Sequence, residues 1–366
     1  MNKRPPYWMD RVLDWYCHPS YVDEIKGDLF ELYQEWLAER GGRWSNLFYF
    51  WNLILFLKVY NSKFSINNMS NYRISLLRHF VAVSARNLIK HKAYYVANIL
   101  GLALGVGISC LIYLHVEREL SYEKAYPKHD RIFRVSTHQE WAKSSPVLGP
   151  MMAEYFPELE AVGRFKRHWG ENFLKVGDNG LVSEDVFEAD AEVIEIFDFE
   201  FIEGSAEGAL DRPYTTLITE TLAKKLFGDQ TALGEVIELN DRDKVEVTGV
   251  IKDLPKYSHL QMDMIMSLEA FYQYTSPEGT ESKGWMVMYT FALLKEGVTE
   301  AEFRAKMPAF QQHYIPEEYR EYMEEVSFEV MPLTDIHLQS DRIQEMAENS
   351  DIVYIYIFVS LAVIII

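Results

Sequence analysis

The chain has 366 residues and a net charge of −19, from 36 Lys/Arg against 55 Asp/Glu, and only two cysteines. The charge is unevenly placed: residues 1–116 carry 13 basic and 8 acidic side chains, residues 117–351 carry 23 and 47. So acidic a second part argues against nucleic acid and against lying flat on anionic lipid, and two distant thiols give no disulfide framework.

Residues 1–65 read as a small all-α unit. After Pro6, YWMDRVLDWYC places Trp8, Val12, Trp15 and Tyr16 on one helical face. Ser20 opens a second helix, with Asp23 three residues on as a capping box. That helix is expected to bury Ile25, Leu29, Leu32 and Trp36 and to stop at Gly41-Gly42. A third helix starts at Trp44 and reaches the region of Tyr60, with Asn52 interrupting its LFYFWNLILFL run. It is too short to cross a bilayer, so it is either the core helix of a three-helix bundle or a helix docked at the inner leaflet through Trp and Phe.

Residues 70–92 form a basic amphipathic segment, with Leu76, Leu77, Phe80, Val81, Val83 and Leu88 opposite Arg73, Arg78, Arg86, Lys90 and Lys92. As a helix it would lie along the cytoplasmic headgroups through Arg78, Arg86, Lys90 and Lys92; otherwise it is a plain basic flank. Next comes Ala93–Val116, AYYVANILGLALGVGISCLIYLHV, 24 residues without a charge. At 1.5 Å per residue it covers about 36 Å, enough to span the hydrocarbon core. Between Lys58 and Lys92 lie seven Lys/Arg and no acid, whereas Glu117-Arg118-Glu119 begins the acidic part. The positive-inside rule therefore puts the N-terminus in the cytoplasm and everything after Val116 outside. With no cleavable leader pattern ahead of it, this segment is expected to act as an uncleaved signal-anchor. Gly101 and Gly105 share one face of the span, where another helix can approach closely. His115 is expected at the outer interface. Cys17 and Cys110 fall on the cytoplasmic side and within the span, and read as ordinary buried thiols.

Residues 117–350 alternate helix and strand signals and read as an α+β domain. Strands are expected at 131–137, 161–167, 172–176, 181–187, 215–220, 285–294 and 326–333, with a turn at Gly177-Asp178-Asn179-Gly180. Helices are expected from Pro146 to Phe156, over TLAKKLFG closed by Gly228, and from the capping box Thr299–Glu302 onward. VIELNDRDKVEVTGVIKD reads as a hairpin turning at Asn240–Asp243. After Asp351, residues 352–366 carry no charge but cover only about 22 Å, and are expected to be the start of a second, incomplete transmembrane helix in a fragment, the other reading being a stub held against other helices.

Catalytic signatures are lacking: no G-x-x-x-x-G-K-[ST], G-x-S-x-G, H-E-x-x-H or C-x-x-C pattern occurs, and the ten histidines show no metal-ligand spacing. No catalytic, cofactor-binding or metal residue is assigned. Asp241 and Asp243 belong to a hairpin turn, and Glu184, Asp185, Glu188, Asp190 and Glu192 read as a solvated acidic face.

Several segments in order resemble the MacB-like/FtsX-like ABC transporter permeases. They are ARNLIKHKAYYVANILGLALGVGISCLIYLHVERELSYEKAYPKHDRIFRV (85–135), PELEAVGRF (157–165), FDFEFIEGSAEGAL (197–210), LITETLAKKLFGDQTALGEVI (217–237), VTGVIKDLPKYSHL (247–260) and DIHLQS (335–340). Residues 7–60 are similar to a permease prefix domain. The resemblance implies an α+β periplasmic core domain between transmembrane helices, preceded by a small all-α cytoplasmic domain. It further implies an inner-membrane, multi-pass permease with no cofactor of its own. Its partners would be a separate ABC ATPase subunit, a second permease copy or half, membrane lipid, and a periplasmic partner or substrate. Two other readings stay open from the residues alone: a two-span receptor with an outer ligand-binding domain, and a membrane-anchored enzyme, against which the missing catalytic constellation counts.

Overall fold

In a computed structural model of the chain, residues 5–17, 19–56, 79–84, 90–137, 140–168, 170–315 and 327–365 are described. They divide into two units, Met1–Ala103 and Leu104–Ile366.

The first unit contains α1 (Tyr7–Tyr16), α2 (Pro19–Arg40) and α3 (Gly42–Phe56). Its core is Met9, Leu13, Cys17, Leu29, Tyr33, Tyr49 and Leu53, with Val12, Tyr16, Val22, Ile25 and Leu37 at the margin. The buried tyrosines keep polar partners: Tyr49 donates to Asp10 at 2.8 Å and Tyr33 to Asn46 at 3.0 Å. The stripe expected on α1 is corrected here. Trp8 and Trp15 are 52% and 69% exposed, while Met9, Leu13 and Cys17 form the inward stripe one position round. The rings of Tyr33 and Tyr49, set edge to face at 5.8 Å, belong to the core those slimmer side chains build. α2 begins one residue earlier than expected, at Pro19, whose missing N–H costs nothing in a first turn, and Ser20 lies inside that turn. Leu32 and Trp36 are only half-buried; Trp36 stacks on Phe48 with centroids 4.0 Å apart. Gly41, at φ +80°, separates α2 from α3.

The long apolar helix α4 (Lys92–Leu120) has 29 residues and is the one described helix long and apolar enough to cross a membrane. It outlasts the expected segment by one turn, and that turn carries Glu119.

The second unit is built on one mixed sheet. Its strands are β1 (Ile132–Ser136), β2 (Leu159–Arg167), β3 (Asn172–Val176), β4 (Asn179–Ser183), β5 (Val186–Ala189), β6 (Phe201–Gly204), β7 (Thr215–Thr219), β8 (Val236–Leu239), β9 (Asp243–Ile251), β10 (Met264–Ser267), β11 (Tyr289–Leu294) and β12 (Glu329–Pro332). They are ordered β12-β1-β11-β2-β5-β10-β7-β9-β8-β3-β4, with β6 also pairing β9. Only β5/β10 and β7/β9 are parallel. Four helices longer than one turn accompany the sheet among the described residues: α5 (Leu148–Tyr155), α6 (Glu192–Phe197), α7 (Glu220–Phe227) and α8 (Glu300–Tyr314).

Alternation along the strands feeds separate cores on the two faces. Ile132, Phe165, Phe187, Leu217, Ile265, Phe291 and Leu293 point to one face, covered by Val193, Ile196 and Phe197 of α6. Phe133, Val135, Val162, Ala292 and Leu294 point to the other and meet α5 and α8. Farther along that second face, Val186, Ile218, Val247 and Met264 pack with Leu222 and Leu226 of α7. Burial on both sides leaves β1, β7 and β11 with no exposed residue.

Several expected elements form as read. Thr299 and Glu302 make a reciprocal capping box, the Thr219 side chain caps α7, and Gly228 ends it at φ +66°. Asn240 and Asp241, both at φ 55°, turn the β8/β9 hairpin. Others differ. The strand expected at 181–187 is two, β4 and β5, broken at Glu184-Asp185, and Asn179 and Gly180 belong to β4 and not to the turn. β6, β10 and α6 arise where no element was expected. The strand at 285–294 starts only at Tyr289.

The acidic run is a solvated face only in part: Glu184 and Glu192 are exposed, whereas Glu188 and Asp190 turn inward. Glu188 is fully buried on β5, where it lies 3.2 Å from Lys166 and 3.3 Å from His168 and accepts a 2.7 Å bond from Tyr274. Burial alone would raise the Glu188 carboxyl, but His168, Lys166 and Tyr274 outweigh it and hold the group below its ordinary value. Asp190 forms a two-pronged pair with Arg164, at 2.7 and 2.8 Å. Sequence proximity gathered these acids; Arg164, Lys166 and Arg167 of β2, one strand away, pair with Asp190, Glu188 and Asp185.

Gly163 on β2 has no room for a side chain, since a Cβ there would meet Val193 Cγ1 at 2.8 Å and the Val193 nitrogen at 3.1 Å. Gly163→Val should therefore push α6 off the sheet and lower stability by about 1–3 kcal/mol, read as a fall in the urea midpoint.

Candidate functional site at the membrane-proximal junction

Three separate segments meet where α4 ends: the turns after Leu120, the loop between β9 and β10, and the one-turn helix Ile336–Gln339. Each lies within a stretch on which the family resemblance rests. The last turn of α4 presents Glu119, buried at its outer end. His337 donates from Nε2 to Glu119 Oε2 at 2.8 Å, its ring stacked flat on Tyr122 with centroids 3.4 Å apart. His115, one turn back, lies 3.8 Å from the other Glu119 oxygen.

A second carboxylate sits four residues on. Glu123 has no exposure and adopts φ +65°, a left-handed conformation that costs a non-glycine residue about 1 kcal/mol or more. What holds it there is a set of donors from the β9–β10 loop. The His259 backbone N–H donates to Glu123 Oε1 at 2.6 Å, His259 Nδ1 to the same oxygen at 2.8 Å, and Ser258 to Oε2 at 2.8 Å. The Glu123 N–H in turn donates to Tyr257 O at 2.9 Å. Ser258 accepts from the Tyr126 hydroxyl at 3.1 Å. Burial, together with the Glu123 carboxylate, raises the Tyr126 phenol far above its usual range, so it is a permanent donor. His259 Nε2 is buried without a hydrogen-bond partner, its ring 5.5 Å from Phe291. Arg118 lies over the Tyr257 ring at 5.0 Å and completes the joint from the exposed side.

The chain leaves the globule through a strap, residues 340–349, sewn to the sheet largely by charge. Arg134 of β1, wholly buried, forms a two-pronged pair with Glu345 and donates to Ser340 at 2.9 Å. Arg342 pairs with Glu329 of β12 and donates to Ser136. Lys143 donates to the Gln344 side chain, and Tyr289 to the Gln344 carbonyl, each at 2.8 Å. Burial, aided by Arg167 and Lys166, pushes the Lys143 amine down to about 8. The strap closes on itself: Ser350 N–H donates to His337 O at 2.8 Å, just before α9 (Ile352–Ile365) begins. α9 then runs beside α4, with Phe358 edge-on to His115 at 5.1 Å.

Of the residues singled out in the sequence, Gly105 faces α9, where a Cβ would lie 3.5 Å from Ile365; Gly101 has nothing within 4 Å. Lys90 lies 3.1 Å from Glu35 of α2, and Lys92 begins α4. Arg78 and Arg86 are outside the described residues. Sequence reasoning missed Glu119, Glu123, His259, His337, Arg134 and Glu345. A faint signal existed in polar residues set among buried apolar neighbours, as with His337 between Ile336 and Leu338. Among the described residues no group of three or more His, Cys, Asp or Glu is arranged to hold a metal. The arrangement ties two helices to one sheet.

Glu123→Ala leaves three buried donors and a strained backbone without compensation. It should lower stability by about 3 kcal/mol or more in chemical denaturation of the detergent-solubilised protein, whereas Ser121→Ala, in an exposed bond beside it, should change little. Lys143 gives a pH signature. Between its folded value of about 8 and the ordinary 10.5, the unfolded chain binds a proton the folded chain has released, so stability from this site rises with pH. Lys143→Met should lack that rise, seen as a wild-type minus variant difference in unfolding free energy that grows from about pH 8 to pH 10.

Among solved structures, a domain of a protein described as a permease from Porphyromonas gingivalis is similar, with a TM-score of 0.48 at 25% identity over 57% of this chain and 92% of that one. The periplasmic region of MacB from Actinobacillus actinomycetemcomitans aligns at 11% identity and a TM-score of 0.43, covering 58% and 94%. The extracellular domain of the noncanonic ABC-type transporter YknZ from Gram-positive bacteria aligns at 10% and 0.36, covering 55% and 99%. No curated protein matches the chain. Residues 95–310, more than half of the chain, match the family described as the MacB-like periplasmic core domain, and the chain belongs to that family.

Proposed function

We propose that the chain is a permease subunit that couples ATP hydrolysis on a separate ATPase subunit to movement of its outer domain, for export or extraction of a substrate. The observation that carries this reading is the junction. Glu119 at the end of α4 and the segment that launches α9 are joined through His337, so a tilt or slide of either helix acts on the sheet through hydrogen bonds that are costly to break. The residues given carry no G-x-x-x-x-G-K-[ST] pattern, which supports a reading in which a separate ATPase subunit supplies the energy.

In this reading the N-terminus and residues 1–65 are cytoplasmic, 70–92 follow the inner headgroups through Arg78, Arg86, Lys90 and Lys92, and 93–116 cross the inner membrane. Residues 117–350 are periplasmic and α9 re-enters the bilayer. Gly101 and Gly105 give a neighbouring helix close access, Gly105 toward α9 and Gly101 toward a second permease copy or half.

A reporter enzyme fused after Leu210 should behave as periplasmic and one fused after Asn61 as cytoplasmic; the reverse pattern sinks the proposal. The protein should also co-purify with an ABC ATPase. In that complex His337→Ala should keep ATPase binding while transport falls at least tenfold, as expected when a buried pair worth about 1.4 kcal/mol or more is lost from the moving state. Undiminished transport would remove the junction as the route of coupling.

A further inference from the structure

The N-terminal unit leaves one broad apolar face open. On α3, Ser45, Tyr49, Asn52 and Leu53 are buried in the three-helix core, while Trp44, Leu47 and Trp51, at i, i+3 and i+7, are each 64–65% exposed. Ile54 and Leu55 extend that exposed face. Trp44, Leu47 and Trp51, with Trp36, Phe48 and Phe50, border a shallow groove of about 490 Å³. A contiguous patch of this kind on a soluble surface marks an interface.

We propose that this face of α3 is seated in the anionic headgroup and acyl boundary of the membrane into which α4 inserts. Three observations choose lipid over protein. First, from Arg40 to Val116 the chain has nine Lys/Arg and not one Asp or Glu, so the segment holding the face and its continuation match an anionic leaflet. Second, α3 has 15 residues, about 22 Å, too short to cross, and its outer face is rich in tryptophan, the side chain that favours the bilayer interface. Third, only 35 residues separate Phe56 from Lys92, where the apolar helix begins, and the described part of that connection is itself a helix with Phe80, Val81 and Val83 exposed. The buried face of α3 supplies the fold; the outer one supplies the attachment. Two acids of α2 have basic neighbours in this same segment, Glu35 with Lys90 at 3.1 Å and Asp28 with His79 at 3.9 Å.

The inference rests on α4 being a membrane span, and the test separates the two. The full chain, with Cys110→Ala and the buried Cys17 left in place, is reconstituted in nanodiscs of phosphatidylcholine and phosphatidylglycerol. Single nitroxides are then introduced at Trp44→Cys, Leu47→Cys and Trp51→Cys, with Leu104→Cys on the span and Glu31→Cys on the exposed side of α2 as references. All are exposed positions, so the labels leave the core intact. Collision rates with oxygen, which partitions into lipid, and with a water-soluble nickel chelate report the surroundings. The expected result is that 44, 47 and 51 follow Leu104, favouring oxygen, while Glu31 favours the chelate. If 47 and 51 follow Glu31 the face is in water, and if they are shielded from both reagents it is covered by a second copy of the chain; either result overturns the proposal. A chelate-accessible Leu104 would instead remove the span on which it rests.

Discussion

Glu119 and His337 stand 218 residues apart in the chain and 2.8 Å apart in space, and the second unit depends on their meeting. Glu119 ends the apolar helix, and His337 ends the sheet's last connection before the chain turns back toward apolar sequence. Both are buried, so neither can separate without leaving an unpaired polar group in a dry environment, a penalty of about 1–3 kcal/mol for each. A hydrophobic contact could slide; a stacked and hydrogen-bonded imidazole resists sliding, because its geometry is directional. Glu123, held by the β9–β10 loop, repeats the device one turn farther on and locks the joint to the middle of the sheet.

The sheet receives whatever arrives there as a rigid body. β1, β11 and the middle of β2 are buried on both faces, and their two cores share the same strands, so bending the sheet would open both at once. The strap adds a second attachment at β1 and β11 through Arg134, Lys143 and Tyr289. Its Arg134–Glu345 pair is almost wholly buried, which makes its stabilisation modest but its geometry exacting, whereas Arg342 meets a partly exposed Glu329. A chain segment without strand or helix is thereby held in one path.

What the sequence reveals about this molecule is what short-range physics decides. The apolar helix, the Thr299 capping box, the Asn240-Asp241 turn and the glycine after α7 each depend on residues within a few positions of one another, and each forms as read. Pairings across the sheet are different. Whether Glu188 faces water or Lys166 depends on β2 lying beside β5, which no local pattern specifies. β10, with only Met264 to Ser267, is too brief to show a period. On α1 the spacing pointed to Trp8, Val12, Trp15 and Tyr16, and only packing against α2 and α3 turns Met9 and Leu13 inward. The junction residues were hidden for the same reason: a lone histidine and a lone glutamate have no pattern until the fold supplies the partner.

The closed strap has one more consequence. Because Ser350 hydrogen-bonds back to His337 and His337 holds Glu119, the outer unit begins and finishes at a single hub. A domain with adjacent ends behaves as a cassette: it can be enlarged, trimmed or exchanged between its two tethers without altering how far apart the flanking helices stand. The sheet and its surface loops can therefore vary between those two tethers, provided the glutamate and the imidazole at the hub are kept.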